Sequence, residues 1–289
     1  MSFATWVMIL AVVTALACAL PGVWLVLRRQ SMLTDAISHS VLPGIVVAAV
    51  ASGTLHSPWS ILGAALMGML VVMGAEFLES TGLISGDGPQ GLIFPALFSI
   101  GVILVSTRFS QVAVSESAIL VGDLNLAAFL PLQIGGTDLG PQYLWVMGGV
   151  LLLNIVFLAL FHRQLKLITF DRELATTMGL RVRLLNQAMM LLVSVTITAS
   201  FYAAGAVLVV ALMIVPAAVA QLVSRSLPVM FTVVSVVAVS NAVAGFWVAY
   251  WLDAATSSGL AVFYGLTFLV VQAVVLLNRR ARRARVAVS

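Results

Sequence analysis

The sequence predicts an all-α membrane protein, a single transmembrane domain over residues 1–289 with about nine spans (eight to ten). Of its 289 residues, 62% are hydrophobic and 8% are charged, whereas soluble domains carry about 25% charged residues. Several apolar runs reach the roughly 20 residues that a helix needs to cross the hydrocarbon core, and they do not alternate as membrane β-strands do. The basic residues gather at the ends of these runs, where they indicate orientation and not binding to nucleic acid.

Nine apolar segments account for the predicted spans. They are Phe3–Leu27, Met32–Ser52, Pro58–Leu78, Gly91–Ser106, Tyr143–Phe161, Leu184–Ala203, Gly205–Val223, Pro228–Leu252 and Gly259–Leu277. Between Ser110 and Gly140 the pattern is ambiguous. The apolar run Ile119–Leu132 is too short to span, which indicates a re-entrant or interfacial segment.

The positions of arginine and lysine predict the orientation of these spans. Arg28 and Arg29 end the first span, so the N-terminus should lie outside the cell. The charged island at about 169–183 and the basic tail 279–289 then fall in the cytoplasm, and only Arg108 disagrees. We expect a multi-pass protein of the inner (plasma) membrane.

Asp35 and His39 are the most informative polar residues within apolar surroundings. They stand four residues apart at the start of the second span, so they share one helix face. A carboxylate and an imidazole on adjacent turns suit Mn²⁺, Fe²⁺ or Zn²⁺. Pro43-Gly44 should interrupt this helix and free backbone carbonyls, as at transporter ion sites. From the residues alone, a hydrogen bond between Asp35 and His39 that only holds two helices together is an equal alternative.

The segment around this pair resembles the signature of the zinc/manganese/iron ABC transporter permeases, the ABC-3 family. The family pattern Asp-Ala-x-Ser-His-x-x-Leu-Pro-Gly matches at every named position from Asp35 to Gly44. Further segments resemble the family in the same order, namely 87–101 with Gly91 and Phe94, 170–175 followed by Gly179 and Leu180, 205–218, and 250–253. Trp251 departs from the pattern, and the segment 256–259 lacks a proline usual in the family.

This resemblance implies a membrane-spanning permease subunit of an ATP-binding-cassette importer for divalent transition metals, Mn²⁺ or Zn²⁺ and possibly Fe²⁺. Asp35 and His39 would be transient metal ligands, and no permanently bound cofactor is expected. The implied partners are two copies of an ATP-binding subunit, a second permease chain that is identical or related, and an extracytoplasmic metal-binding protein. No nucleic-acid partner is expected.

The chain is not expected to be an enzyme, because it lacks the Gly-x-x-x-x-Gly-Lys-[Ser/Thr] loop that cradles ATP phosphates. A separate ATPase must therefore act through a cytoplasmic surface, for which the island 169–183 is the candidate. Its acidic start and basic end suit the dipole of a short helix that Gly179 would end. The resemblance places a coupling helix here, with candidate ATPase-coupling residues Asp171, Arg172, Glu173, Leu174, Ala175 and Gly179.

Polar residues within membrane spans also occur in two other classes of protein, secondary transporters and intramembrane proteases. In an ion-coupled secondary metal transporter, Asp35, His39 or Asp123 would relay protons without an ATPase. An intramembrane protease is disfavoured because neither His-Glu-x-x-His nor Gly-x-Gly-Asp occurs. Asp123 is also a weaker candidate for the metal pathway of an importer, or part of a re-entrant turn. Buried amides, among them Asn154, Asn186 and Asn241, are expected to form hydrogen bonds between helices.

Overall fold

The computed structural model describes residues 2–52, 58–84, 88–108, 122–134 and 137–288, and these are almost entirely helical. The helices are α1 (Phe3–Leu27), α2 (Met32–Ser52), α3 (Pro58–Ser80), α4 (Gly88–Arg108), α5 (Leu124–Phe129), α6 (Gln142–Phe170), α7 (Arg172–Thr177), α8 (Val182–Val223), α9 (Leu227–Trp251) and α10 (Thr256–Val288). The strands are β1 (Pro131–Ile134) and β2 (Thr137–Pro141), which pair antiparallel.

Helix α1 lies at the centre of a group of helices, in which it packs against α6, α8 and α9. Its most apolar stretch is 72% buried, whereas that of α10 is 11% buried, so α10 presents most of its surface outward. A Cβ atom on Gly22 would lie 1.9 Å from the backbone oxygen of Met213. The backbones of α1 and α8 therefore touch, as small residues permit in membrane bundles.

Helices α2, α3 and α4 pack on one another, and α2 and α3 also pack on α8. A Cβ atom on Gly44 would lie 2.6 Å from the Cα atom of Ala64, and one on Gly63 would lie 2.7 Å from the oxygen of Gly44. These glycines bring α2 and α3 into backbone contact. The crossing fixes the helix that carries Asp35 and His39.

The longest helix, α8, bends at Gly205, whose φ of 75° and ψ of 165° are non-helical. A positive φ of this kind favours glycine because other residues carry a Cβ. Gly122 also has a positive φ, and a Cβ on it would come within 2.2 Å of the Gly205 nitrogen. Gly122, two residues before α5, thus lies directly against the bend in α8.

The prediction of a multi-pass helical protein is confirmed. Within the described residues, five helices are long and apolar enough to cross a membrane, namely α1, α6, α8, α9 and residues Thr256–Arg280 of α10. Helices α2, α3 and α4 occupy three more of the predicted spans, and α8 covers two that the sequence analysis treated separately. The count of nine spans is not confirmed by these lengths and stays a prediction.

Two details differ from the prediction. The described residues are almost entirely helical, as predicted, but β1 and β2 form a short hairpin in the stretch that was ambiguous in sequence. Prolines at both ends of this hairpin and two glycines between the strands (outside the described ranges) disfavour a helix there. Helix α2 also continues through Pro43 to Ser52 without a break, and Gly44 just after the proline lies in backbone contact with α3.

Candidate functional site

The carboxylate of Asp35 and the imidazole of His39 lie side by side on the first turns of α2. The distance from Asp35 Oδ1 to His39 Nε2 is 3.5 Å, and the side chains are 48% and 33% exposed, respectively. A good hydrogen bond would be about 2.7–3.2 Å long. Two ligand atoms bound to one Zn²⁺ at about 2.0–2.2 Å in tetrahedral geometry lie roughly 3.4 Å apart. The observed separation therefore allows both atoms to bind one cation.

Two aromatic rings of α4 hold the imidazole of His39. Phe94 stacks on it with ring centroids 5.5 Å apart and planes at 27°, and Phe98 meets it edge-on at 6.3 Å. Phe94 belongs to the second segment that resembles the family in sequence. These contacts restrict the ring of His39 and leave its Nε2 atom turned toward Asp35.

The pair offers few protein ligands. Among the described residues, no group of three or more His, Cys, Asp or Glu side chains is placed to hold a metal ion. Pro43 lies four residues after His39 inside α2, and proline has no N–H to donate. The carbonyl oxygen of His39 consequently lacks its usual helical donor. A site with so few ligands per chain suits passage of an ion and not its permanent retention.

The charged island contains the predicted short helix, α7. Asp171 caps its N-terminus, where Oδ1 accepts a hydrogen bond of 2.9 Å from the Leu174 N–H. Gly179 follows its C-terminus with a φ of 78°. The N–H of Leu180 donates to the Ala175 carbonyl at 3.1 Å, which completes a glycine-based helix stop. Both ends of α7 were therefore correctly predicted.

Most of the candidate coupling residues lie on the surface of the chain, and one of them is buried. Asp171, Arg172, Glu173, Leu174 and Gly179 are exposed, whereas Ala175 is fully buried. The surface includes apolar side chains as well as charges, since Leu174 and Met178 are also exposed. An exposed patch of this mixed kind on a polar segment is typical of a protein-binding surface.

Asp123 lies away from the Asp35–His39 pair, at the N-terminus of α5. Its side chain is exposed, and Oδ1 accepts a hydrogen bond of 2.8 Å from the Asn125 N–H. The next turn is tied to α10, because the Asn125 amide donates to the Thr256 hydroxyl at 3.0 Å. Asp123 thus caps a short helix beside the bend of α8, and this capping role does not require metal.

A polar network that the sequence analysis missed lies beside the charged island. Arg28 Nε donates to the Thr169 hydroxyl at 3.0 Å, and its Nη1 donates to the Asn186 side-chain oxygen at 2.6 Å. Asn186 Nδ2 in turn donates to a carboxylate oxygen of Glu76. The amide of Asn186 was correctly predicted to bond between helices. Arg28 had been interpreted only as a marker of orientation, because its partners are 141 and 158 residues away.

Burial and, to a smaller extent, the nearby positive charge of Arg172 together lower the pKa of Arg28 to about 10. Arg28 therefore remains protonated at neutral pH. The effect of Arg172 also indicates that α7 and the end of α1 are close enough for their charges to interact.

Comparison with known proteins shows the family to which this chain belongs. The model of the ABC 3 transport family matches residues 1–275. The chain belongs to this family. The resemblance inferred from the Asp35–Gly44 segment is thereby confirmed, and the chain is a membrane permease subunit of an ABC transporter.

Several relatives within the ABC 3 family match over most of the chain. The manganese transport system membrane protein MntD of Bacillus subtilis (strain 168) is 36% identical over 268 residues, which cover 93% of this chain and 90% of MntD. The zinc transport system membrane protein TroD of Treponema pallidum is 42% identical over 265 residues, covering 92% of this chain and 72% of TroD. The chelated iron transport system membrane protein YfeD of Yersinia pestis is 32% identical over 262 residues, covering 90% and 81%.

One solved structure has a similar fold over nearly the whole chain. PsaBC from Streptococcus pneumoniae in complex with Fab superposes with a TM-score of 0.75 at 25% sequence identity, covering 94% of this chain and 91% of that one. The arrangement of helices described above is thus the fold of an ABC transporter permease.

Proposed function

We propose that this permease conducts divalent transition-metal ions into the cell and that the ions pass the Asp35–His39 pair. The observation that carries the proposal is the 3.5 Å separation of Asp35 Oδ1 and His39 Nε2, both partly exposed, within the segment that matches the family signature. One carboxylate oxygen and one imidazole nitrogen suit Mn²⁺, Zn²⁺ and Fe²⁺ alike. The relatives, whose names give manganese, zinc and chelated iron as cargo, support this class of ion.

The import model needs three kinds of partner. An ATP-binding subunit would dock on α7 of each permease chain, which makes two ATP-binding subunits. The exposed charged and apolar side chains of α7 support such a contact. A second permease chain, identical or related, would face the first, so that two Asp35–His39 pairs contribute to one pathway. A metal-binding protein would deliver the ion at the outer face. Alternating access then follows when ATP binding closes the two ATP-binding subunits and moves α7.

The same model includes the finer topology. We place the N-terminus outside, the charged island 169–183 and the basic tail 279–289 in the cytoplasm of a plasma-membrane protein, and about nine spans between the ends. The distribution of arginine supports this orientation. Residues 1–289 form a single permease domain, and Asp123 near the outer end of the bundle is a weaker candidate for the pathway.

The decisive experiment is uptake of Mn²⁺ or Zn²⁺ by vesicles that contain the assembled transporter. Asp35→Ala and His39→Ala should each abolish uptake while the complex still assembles, because each variant loses one of the two side-chain ligands of the proposed site. Glu79→Ala is a matched control, since it removes an exposed carboxylate outside the proposed site. Uptake at the wild-type rate in both site variants would refute the assignment of the site.

An ion-coupled secondary metal transporter is the alternative function, and it differs from the proposed importer in its source of energy. The importer requires ATP inside the vesicles and is insensitive to collapse of the ion gradients by ionophores. A secondary transporter shows the opposite pattern.

A further inference from the structure

A single arginine joins the two ends of the charged island. Arg28 donates from Nε to Thr169 and from Nη1 to Asn186, at 3.0 Å and 2.6 Å. Thr169 lies in the last turn of α6, two residues before the cap of α7, and Asn186 lies in the second turn of α8. The chain that enters the segment around α7 and the chain that leaves it are therefore bonded to one guanidinium group.

The same network reaches the group of helices that carries the proposed metal site. Asn186 Nδ2 donates to the carboxylate of Glu76 on α3, and α3 packs against α2. Asn186 thus lies between the guanidinium of Arg28 and the carboxylate of Glu76 and is hydrogen-bonded to both. Displacement of the first turns of α8 would act on α1 and on α3 together.

The backbone of Arg28 leads directly into α2. Arg29 adopts a positive φ of 57°, and the Gln30 N–H donates to the Leu25 carbonyl at 2.9 Å, which closes the end of α1 as a tight turn. Helix α2 begins at Met32, and Asp35 lies in its first turn. Six residues, most of them in regular hydrogen-bonded turns, lie between Arg28 and Asp35.

Arg28 is incompletely paired in this arrangement. Its Nη2 atom is buried and has no hydrogen-bond partner within the described part of the chain. A buried donor of a charged group gains free energy when it finds an acceptor. A shift of the surrounding helices that brings an acceptor to Nη2 would therefore add a hydrogen bond to Arg28.

We propose that Arg28 is a positioning residue that transmits movement of the segment around α7 to α2 and so to the Asp35–His39 pair. The inference rests on the proposed function, because it presumes that α7 receives the ATPase and that the pair conducts the ion. A coupling element needs contacts to both sites and more than one stable arrangement. The hydrogen bonds of Arg28 supply the contacts, and the Nη2 donor, which no described residue accepts from, could bond in a second arrangement.

The test uses substitutions that change single contacts of Arg28. Arg28→Lys keeps the positive charge but loses the planar fork that reaches Thr169 and Asn186 together. Thr169→Val removes one acceptor with little change of shape, and Thr169→Ser restores the hydroxyl group. Arg29→Lys is the matched control for Arg28→Lys, because Arg29 is the adjacent arginine and is exposed.

The complete transporter with each substitution is reconstituted in vesicles, and Mn²⁺ uptake and ATP hydrolysis are measured on the same sample. We expect Arg28→Lys and Thr169→Val to assemble and hydrolyse ATP, while the number of ions imported per ATP falls about fivefold or more, the scale of a typical coupling free energy. Thr169→Ser and Arg29→Lys should retain the wild-type ratio. A loss of ATP hydrolysis and uptake in equal proportion would indicate a merely structural role.

A wild-type ratio of ions to ATP in Arg28→Lys overturns the inference. If Arg28→Lys fails to assemble, Thr169→Val decides, and full coupling in that variant overturns the inference as well. Asp35→Ala is measured in parallel. One outcome overturns only the role of Arg28. In that outcome the wild-type transporter imports Mn²⁺, the Asp35→Ala variant imports none, and the Arg28→Lys variant imports as many ions per ATP as wild type. If wild type imports no Mn²⁺ or Zn²⁺, or Asp35→Ala transports normally, the proposed function fails and the inference fails with it.

Discussion

At the scale of single residues, the contact between α1 and α8 depends on the missing side chain of Gly22. Because a Cβ there would lie 1.9 Å from the Met213 oxygen, Gly22→Ala must push two helix backbones apart. We expect this substitution to lower the free energy of unfolding by about 1–3 kcal/mol or more, the usual cost of overpacking a core. Thermal unfolding of the purified permease in detergent measures the change.

Gly148→Ala provides the matched control. Gly148 also lies inside a membrane helix, α6, but a Cβ on it would meet no atom within 4 Å. Alanine has the higher helix propensity, so this variant should unfold at the wild-type temperature or slightly above it. Equal stability of Gly22→Ala and Gly148→Ala would contradict the close packing of α1 on α8.

These residues differ in how far the sequence alone could identify them. Asp35 and His39 could be predicted because their relation is local, four residues apart on one helix, and because their segment carries the family signature. Gly22 could not, because its partner Met213 is distant in sequence and no local pattern marks a backbone crossing. Arg28 was recognised only as a charge at the end of a span, since its hydrogen bonds join positions that are brought together by the fold.

At the scale of elements, α7 shows how local signals define a short helix. Acidic residues near the start, Asp171 and Glu173, and a glycine at position 179 could all be recognised in the sequence. The structure has the helix between them, with Asp171 as its cap. The role of this helix in coupling is a proposal. The negative charge of Glu173 both favours the helix N-terminus and lies on the surface proposed to meet the ATPase.

Glu173→Arg should therefore uncouple ATP hydrolysis from metal uptake. The reversed charge costs about 0.3–1 kcal/mol at the helix N-terminus and repels any basic group that Glu173 meets on the ATP-binding subunit. We expect hydrolysis to continue while uptake per ATP falls severalfold in reconstituted vesicles. Glu173→Gln serves as the control with the charge removed but not reversed, and it should be affected less. Intact coupling in Glu173→Arg would exclude Glu173 from the contact.

Elements with no local signal were predicted less well. Pro43-Gly44 was expected to break α2, as this pair often does when a helix stands alone. In the structure, α2 is continuous from Met32 to Ser52, and Gly44 and Gly63 bring it into backbone contact with α3, a tertiary contact that the local sequence does not reveal. The hairpin of β1 and β2 was also not predicted, because strands of four and five residues between prolines and glycines carry too little alternation to be recognised.

At the scale of the whole molecule, the number of crossings depends on α8. Its 42 residues, at about 1.5 Å each, are about twice as long as the ~30 Å hydrocarbon core requires. The bend at Gly205 divides it at the boundary between two predicted spans. If each half crosses, α8, α9 and α10 make four crossings, and α7 and the end of α10 lie on the same side. If α8 crosses once, the two lie on opposite sides.

Single-cysteine labelling distinguishes these arrangements. The native Cys18 is fully buried, so a membrane-impermeant maleimide should leave the wild-type protein unlabelled. We expect Ser2→Cys to react from outside intact cells, and both Thr177→Cys on α7 and Arg280→Cys at the end of the apolar part of α10 to react only after the membrane is opened. Labelling in detergent confirms that each introduced thiol is reactive. Reaction of Thr177→Cys and Arg280→Cys from opposite sides would mean that the halves of α8 do not both cross, because an even number of crossings must return the chain to the side it left.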